Sequence, residues 1–97
     1  MIPGFVSKMS EITVASATTI LSPDADILIV TGATQIETIV PALGKQCDQF
    51  LVVIPVTGAV TLGTAGNILV GIVMAVNRAV FMVYRKSTDK WYINSGV

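Results

Sequence analysis

Apolar, β-branched runs of about four to nine residues alternate with turn-forming residues along the whole chain, and no stretch repeats its apolar positions at a helical period. That pattern restricts the chain to an all-β fold. It predicts strands over Glu11–Ala15, Thr18–Leu21, Ile27–Thr31, Gln35–Ile39, Phe50–Ile54, Val60–Leu62, Ile68–Val76, Ala79–Tyr84 and Lys90–Asn94. Between them lie Gly-, Pro-, Asn-, Asp- and Ser-rich segments such as Ser22-Pro23-Asp24, Gly32-Ala33, Gly63–Asn67 and Asn77-Arg78. Residues 1–10 carry few strand signals and read as an N-terminal arm, leaving 11–97 as a single all-β domain.

The strands fall into two kinds. Gln35–Ile39 and Val60–Leu62 alternate cleanly, which suits one buried and one wet face. Ile27–Val30, Phe50–Ile54 and Ile68–Val76 are apolar at successive positions, so each needs cover on two sides. A chain of 97 residues with 53% hydrophobic and only 12% charged residues carries more apolar material than one small core can hold. A neighbouring copy is the natural supplier of the second layer, and a homo-oligomer is expected.

A string is repeated within the chain: Val30-Thr31-Gly32-Ala33 recurs as Val56-Thr57-Gly58-Ala59, 26 residues later. Stacked coils produce such a period, and chance does too in a sequence rich in Val, Thr and Ala. A small sandwich, a barrel and a β-coil therefore all remain open.

Composition narrows the chemistry. Six basic residues balance six acidic ones without a cationic run, which argues against a nucleic-acid partner. Histidine is absent and Cys47 stands alone, so neither a Cys/His zinc site nor an internal disulfide can form, and Cys47 reads as a small hydrophobe or an unreactive thiol. Asn77 and Arg78 interrupt the apolar stretch from Ile68 to Tyr84 before it reaches the ~20 residues of a spanning helix, so no membrane role is expected. The start shows no basic segment followed by an apolar one, which predicts a protein made and assembled in a cytoplasm.

No nucleophile–base pair, carboxylate pair or ligand cluster stands out, and no cofactor or enzymatic activity is expected. Asp24 and Asp26 are too few for a calcium site and read as turn residues. Gly63–Asn67 lacks the Gly-Lys-Ser/Thr ending of a phosphate loop, and Gly44-Lys45 is followed by Gln46; both read as turns in which glycine or Asn67 takes positive φ. The aromatic concentration Phe81, Tyr84, Trp91 and Tyr92 has two readings. Rings packed in a core and subunit interface, together with Val83, Ile68 and Val70, are favoured over exposed rings that stack on sugars.

Gly58–Leu62, Ala65–Ile68, Phe81–Tyr84 and Lys90–Ser95 together resemble the small β modules of tailed-phage virion proteins, which occur in tail fibres, spikes and capsid-decorating proteins. The resemblance covers roughly residues 27–97, with one departure: the longer Arg85–Asp89 segment replaces the usual Asp-Gly or Asn-Gly turn. It implies a trimeric β-structure without catalytic residues. A short chain that begins with Met is most similar to a capsid decoration, or cement, protein. The expectation is a homotrimer on the virion surface that clamps major capsid protein subunits, gripping them with an arm containing Ile2, Pro3, Phe5 and Val6. Two alternatives stand beside it: a tail-fibre or receptor-binding module that recognises a host glycan through Trp91 or Tyr92, and a cellular trimeric β-protein.

Overall fold

The computed structural model describes residues 10–22, 24–42 and 46–93. Ile2, Pro3, Phe5 and Val6 of the expected arm lie outside the described residues, as do Gly44 and Lys45. The described chain is all-β and its sheets do not close into a barrel.

The strands in order are β1 (Glu11–Ala15), β2 (Thr19–Leu21), β3 (Ile27–Thr31), β4 (Thr38–Val40), β5 (Gln49–Pro55), β6 (Val60–Leu62), β7 (Ile72–Met74), β8 (Val80–Arg85) and β9 (Lys90–Ile93). The first half winds as a β-coil. Strands β1, β3 and β5 stack in parallel on one side, and β2 and β4 stack in parallel on another. On a third side Ile36 forms a parallel bridge to Leu62, a separation of 26 residues. The repeated Val-Thr-Gly-Ala strings fall at the ends of β3 and β5: Val30-Thr31 closes β3, Val56-Thr57 follows β5, and because Val30 pairs with Pro55 the two copies lie one residue out of register.

The second half caps the coil. After Ile68 the chain reverses: β7 pairs antiparallel with β6, and β8 pairs antiparallel with the free side of β5. A hairpin then adds β9, completing a five-stranded sheet in the order β1-β3-β5-β8-β9. Residues 86–89, where the resemblance departs from its usual pattern, form a four-residue loop closed by Asp89 N–H to the Arg85 carbonyl at 2.8 Å. Asp89 takes φ 56°, a left-handed conformation that Asp tolerates better than most residues.

Inside the coil, Leu28, Val30, Leu51 and Val53 from the large sheet meet Ile20, Ile36, Ile39, Val60 and Leu62 from the other sides. The cap seals this core with Met74, Met82, Tyr84 and Trp91. Two expectations change. Gln35–Ile39 is not a single alternating strand, because Ile36 and Ile39 are the buried residues and the chain turns a corner between them. Ile68–Val76 is not one strand either: only Ile68 bridges to Trp91, and pairing resumes at Ile72 beyond Gly71.

Candidate interaction surfaces

The expected interface residues separate into two groups. Ile68, Tyr84 and Trp91 lie at 1%, 0% and 0% exposure, so they belong to the core of this chain. Their burial follows from strand parity: Tyr84 pairs with Trp91 on the inward face of the hairpin, and their rings pack at 5.4 Å. Phe81, Val83 and Val70 are exposed, and Tyr92 is half-buried on the outward face.

Polar side chains hold the cap onto the coil. Trp91 donates its Nε1–H to the Ile39 carbonyl at 2.8 Å, and Asn67 donates to the same oxygen at 2.7 Å. The Ile39 N–H in turn donates to Asn67 Oδ1 at 3.0 Å. One side-chain amide thus imitates the peptide of a neighbouring strand, and this explains Asn67, whose φ is not positive. Gly66 is likewise not in the left-handed region; a Cβ there would collide with Thr38 and the Glu37 backbone.

The scattered carboxylates also serve the loops. Glu37 accepts from Ala65 N–H at 2.9 Å and from the Gln35 amide, Asp48 accepts from Lys86 N–H at 2.9 Å, and Asp26 accepts from Ser10 N–H at 3.3 Å. Among the described residues no three His, Cys, Asp or Glu side chains come together as a metal-binding group.

Two tyrosines with different surroundings flank the β8–β9 hairpin. Tyr84 donates to Asp89 Oδ1 at 2.5 Å; this bond to a carboxylate, burial, and the negative charges of Asp89 and Asp48 push its phenol up to about 12. Tyr92 lies below its ordinary value, first through its bond with the Thr88 hydroxyl and then through the Arg85 guanidinium, with burial acting in the opposite direction. Arg85 stacks over the Tyr92 ring at 5.3 Å. Beside the hairpin, Thr38, Val40, Asn67, Thr88, Asp89 and Lys90 line a cleft of about 400 Å³.

The large sheet is apolar on its outward face as well. Registered pairing places Ile27, Val52 and Phe81 in one row and Phe50, Val83 and Tyr92 in the next, with Ile29 beside Ile54 in a third. Phe50 and Phe81 are 51% and 48% exposed and meet edge to face at 6.1 Å. The polar residues of this face lie towards its margins: Glu11 and Thr13 on β1, Thr31 at the end of β3, Arg85 at the end of β8 and Lys90 paired with it on β9. A second apolar surface lies along the cap, where Val73 of β7 is 66% exposed and Leu69, Val70 and Val76 are exposed beside it. No helix of the described residues is long and apolar enough to cross a membrane.

Compared with known proteins, the chain matches no protein-family model, no curated protein and no solved structure.

Proposed function

We propose that this protein is a non-enzymatic structural protein of a tailed-phage virion, a homotrimeric decoration protein that binds the capsid surface and stabilises the shell. The observation that carries the reading is the presence of two apolar surfaces on two different sheets, the outward face around Phe50 and Phe81 and the cap surface around Val73. A clamp requires one surface for its own copies and another for its target. The phage assignment rests on the resemblance of the strand and turn motifs.

The mechanism is mass action. A protein that binds the assembled shell and not its dissociated subunits stabilises the shell by its binding free energy, and three linked contacts on one trimer raise the effective affinity about 10²–10⁴-fold. Incubation with expanded empty capsids followed by sedimentation tests the reading. Saturable co-sedimentation of trimers, with a raised shell melting temperature, is the expected result; a protein that stays in the supernatant overturns it.

The alternative is a receptor-binding module. Burial of Trp91 removes its ring as a sugar platform, and the hairpin cleft lined by Thr88, Asp89 and Lys90 is the feature that favours this reading. Glycan-array binding that is lost in Lys90→Ala would replace the shell assignment with this one.

A further inference from the structure

We propose that the open edge of β1 takes an extended segment of another protein, which lies parallel to β1 as an added strand of the large sheet. The segment carries apolar side chains beside Ile12 and Val14 and a basic one beside Glu11. The proposal deepens the functional reading above, in which that protein is the shell subunit; it rests on that reading only for the source of the segment.

Backbone direction singles out the edge. The Ser10 carbonyl accepts from Ile27 N–H at 3.0 Å and Ser16 N–H donates to the Thr31 carbonyl at 2.8 Å, so the even-numbered residues of β1 bond to β3. The N–H and C=O groups of Glu11, Thr13 and Ala15 then point away from β3, and among the described residues no strand lies on that side. The opposite edge of the sheet is different. On β9, Trp91 N–H donates to the Asn67 carbonyl at 2.8 Å and the Trp91 carbonyl accepts from Leu69 N–H at 3.1 Å. The first turn of the coil is open on a second side as well. Thr18 accepts from Thr38 N–H and Ser22 N–H donates to Val40, which leaves the backbone of Thr19 and Leu21 facing outward. A row of unpaired donors and acceptors is matched by one chemistry, the backbone of another extended chain.

The core stops one strand short at the same place. Ile12 lies in an inward row with Leu28 and Val53, which are 0% and 1% exposed, yet Ile12 itself is 41% exposed. Val14 is only partly buried beside the fully buried Val30. Apolar residues at the two facing positions of an added strand complete both rows. The edge is also unguarded: β1 contains no proline or lysine, and its register with β3 runs without a bulge from Glu11 to Ala15. Charge is confined to the start of the strand, where Glu11 is exposed and the Asp26 carboxylate accepts from Ser10 N–H at 3.3 Å. Two carboxylates there select a basic residue in the incoming segment. A second copy of β1 laid parallel would instead set Glu11 against Glu11.

The probe is the peptide acetyl-Lys-Val-Thr-Val-Thr-amide, added to the isotope-labelled full chain and followed by NMR with amide hydrogen exchange. Saturable binding is expected, with exchange slowed at Thr13 and Ala15 and unchanged at Ile12 and Val14, whose N–H groups already face β3. Thr13→Pro removes an outward N–H and no bond to β3, so near-UV circular dichroism is expected to stay native while binding weakens about 10-fold, the loss of one backbone hydrogen bond. A peptide N-methylated at both Val residues, which would donate to β1, is expected not to bind; one N-methylated at both Thr residues is expected to bind. Glu11→Lys is expected to prefer the peptide led by Glu over the one led by Lys, and an unchanged preference overturns the basic residue. No binding, or binding without the alternation in exchange, overturns the proposal and leaves the shell reading to the capsid co-sedimentation. Binding that appears only after deletion of residues 1–9 assigns the edge to that segment, and a wild-type dimer dissociated by Thr13→Pro assigns it to a second copy; either result overturns the proposal. Peptide binding by a protein that does not co-sediment with capsids supports the edge site and overturns the shell subunit as its source.

Discussion

At the scale of single residues, the hairpin is where pH acts on stability. Tyr84 is held protonated by its bond to Asp89, so its folded pKa of about 12 lies above the ordinary tyrosine value of 10.0. A group whose folded pKa is raised contributes stability that is complete below its unfolded pKa. That contribution falls as the pH climbs from about 10 through about 12. The urea midpoint of the wild type is therefore expected to drop over this range, while Tyr84→Phe, which has no proton to lose, gives a flatter profile. Tyrosinate absorbance offers an independent readout: Tyr92 titrates first and Tyr84 last. Simultaneous ionisation of both rings would mean that Tyr84 and Asp89 do not share a proton in solution.

At the scale of elements, the two copies of Val-Thr-Gly-Ala make a controlled comparison. Gly32 has φ 80°, and a Cβ there would sit 2.8 Å from Ser16 Oγ; Gly58 has no atom within 4 Å of that position and no positive φ. Gly32→Ala is expected to destabilise the protein by about 1–3 kcal/mol, whereas Gly58→Ala is neutral or stabilising by up to about 1 kcal/mol, because alanine restricts only the unfolded chain. Chemical denaturation of the two variants checks this, and equal losses would show that the two corners are equivalent after all. The string itself was legible in the sequence, and so were most strands: Glu11–Ala15, Ile27–Thr31 and Val60–Leu62 have the boundaries their β-branched runs predict. The parallel stacking was only one of three open topologies, because periodicity reports which face of a strand is wet and not which strand lies beside it. The corner between Ile36 and Ile39 was legible but misread: the two inward residues are three apart, with Glu37 and Thr38 both polar between them, and that spacing breaks the period of two a single strand requires. The apolar surfaces were half legible. Two-sided strands announced uncovered area, but strand parity alone could not show that Trp91 points into the protomer while Phe81 points out.

At the scale of the whole molecule, the sequence of coil and cap determines which backbone edges are covered. An uncapped parallel coil exposes backbone donors and acceptors at both ends, and such ends invite stacking into open fibres. Here β8 and β9 cover the far side of β5 and β7 covers β6, so the edge of β1 meets no complementary parallel edge at the other end of a second copy. Parallel pairing of β1 with the far side of β5 in another copy is thereby removed, and the trimer proposed above would form through side-chain surfaces in a closed assembly. The full chain is therefore expected to reach a mass plateau as concentration rises in sedimentation velocity. A chain ending after Gly71 loses β7, β8 and β9 together with Met74, Met82, Tyr84 and Trp91 from the core, and it uncovers the edges of β5 and β6. That truncated chain is expected to form thioflavin-binding aggregates without a defined mass. A soluble, discrete species from it would show that the coil is self-sufficient and that the cap exists for another purpose.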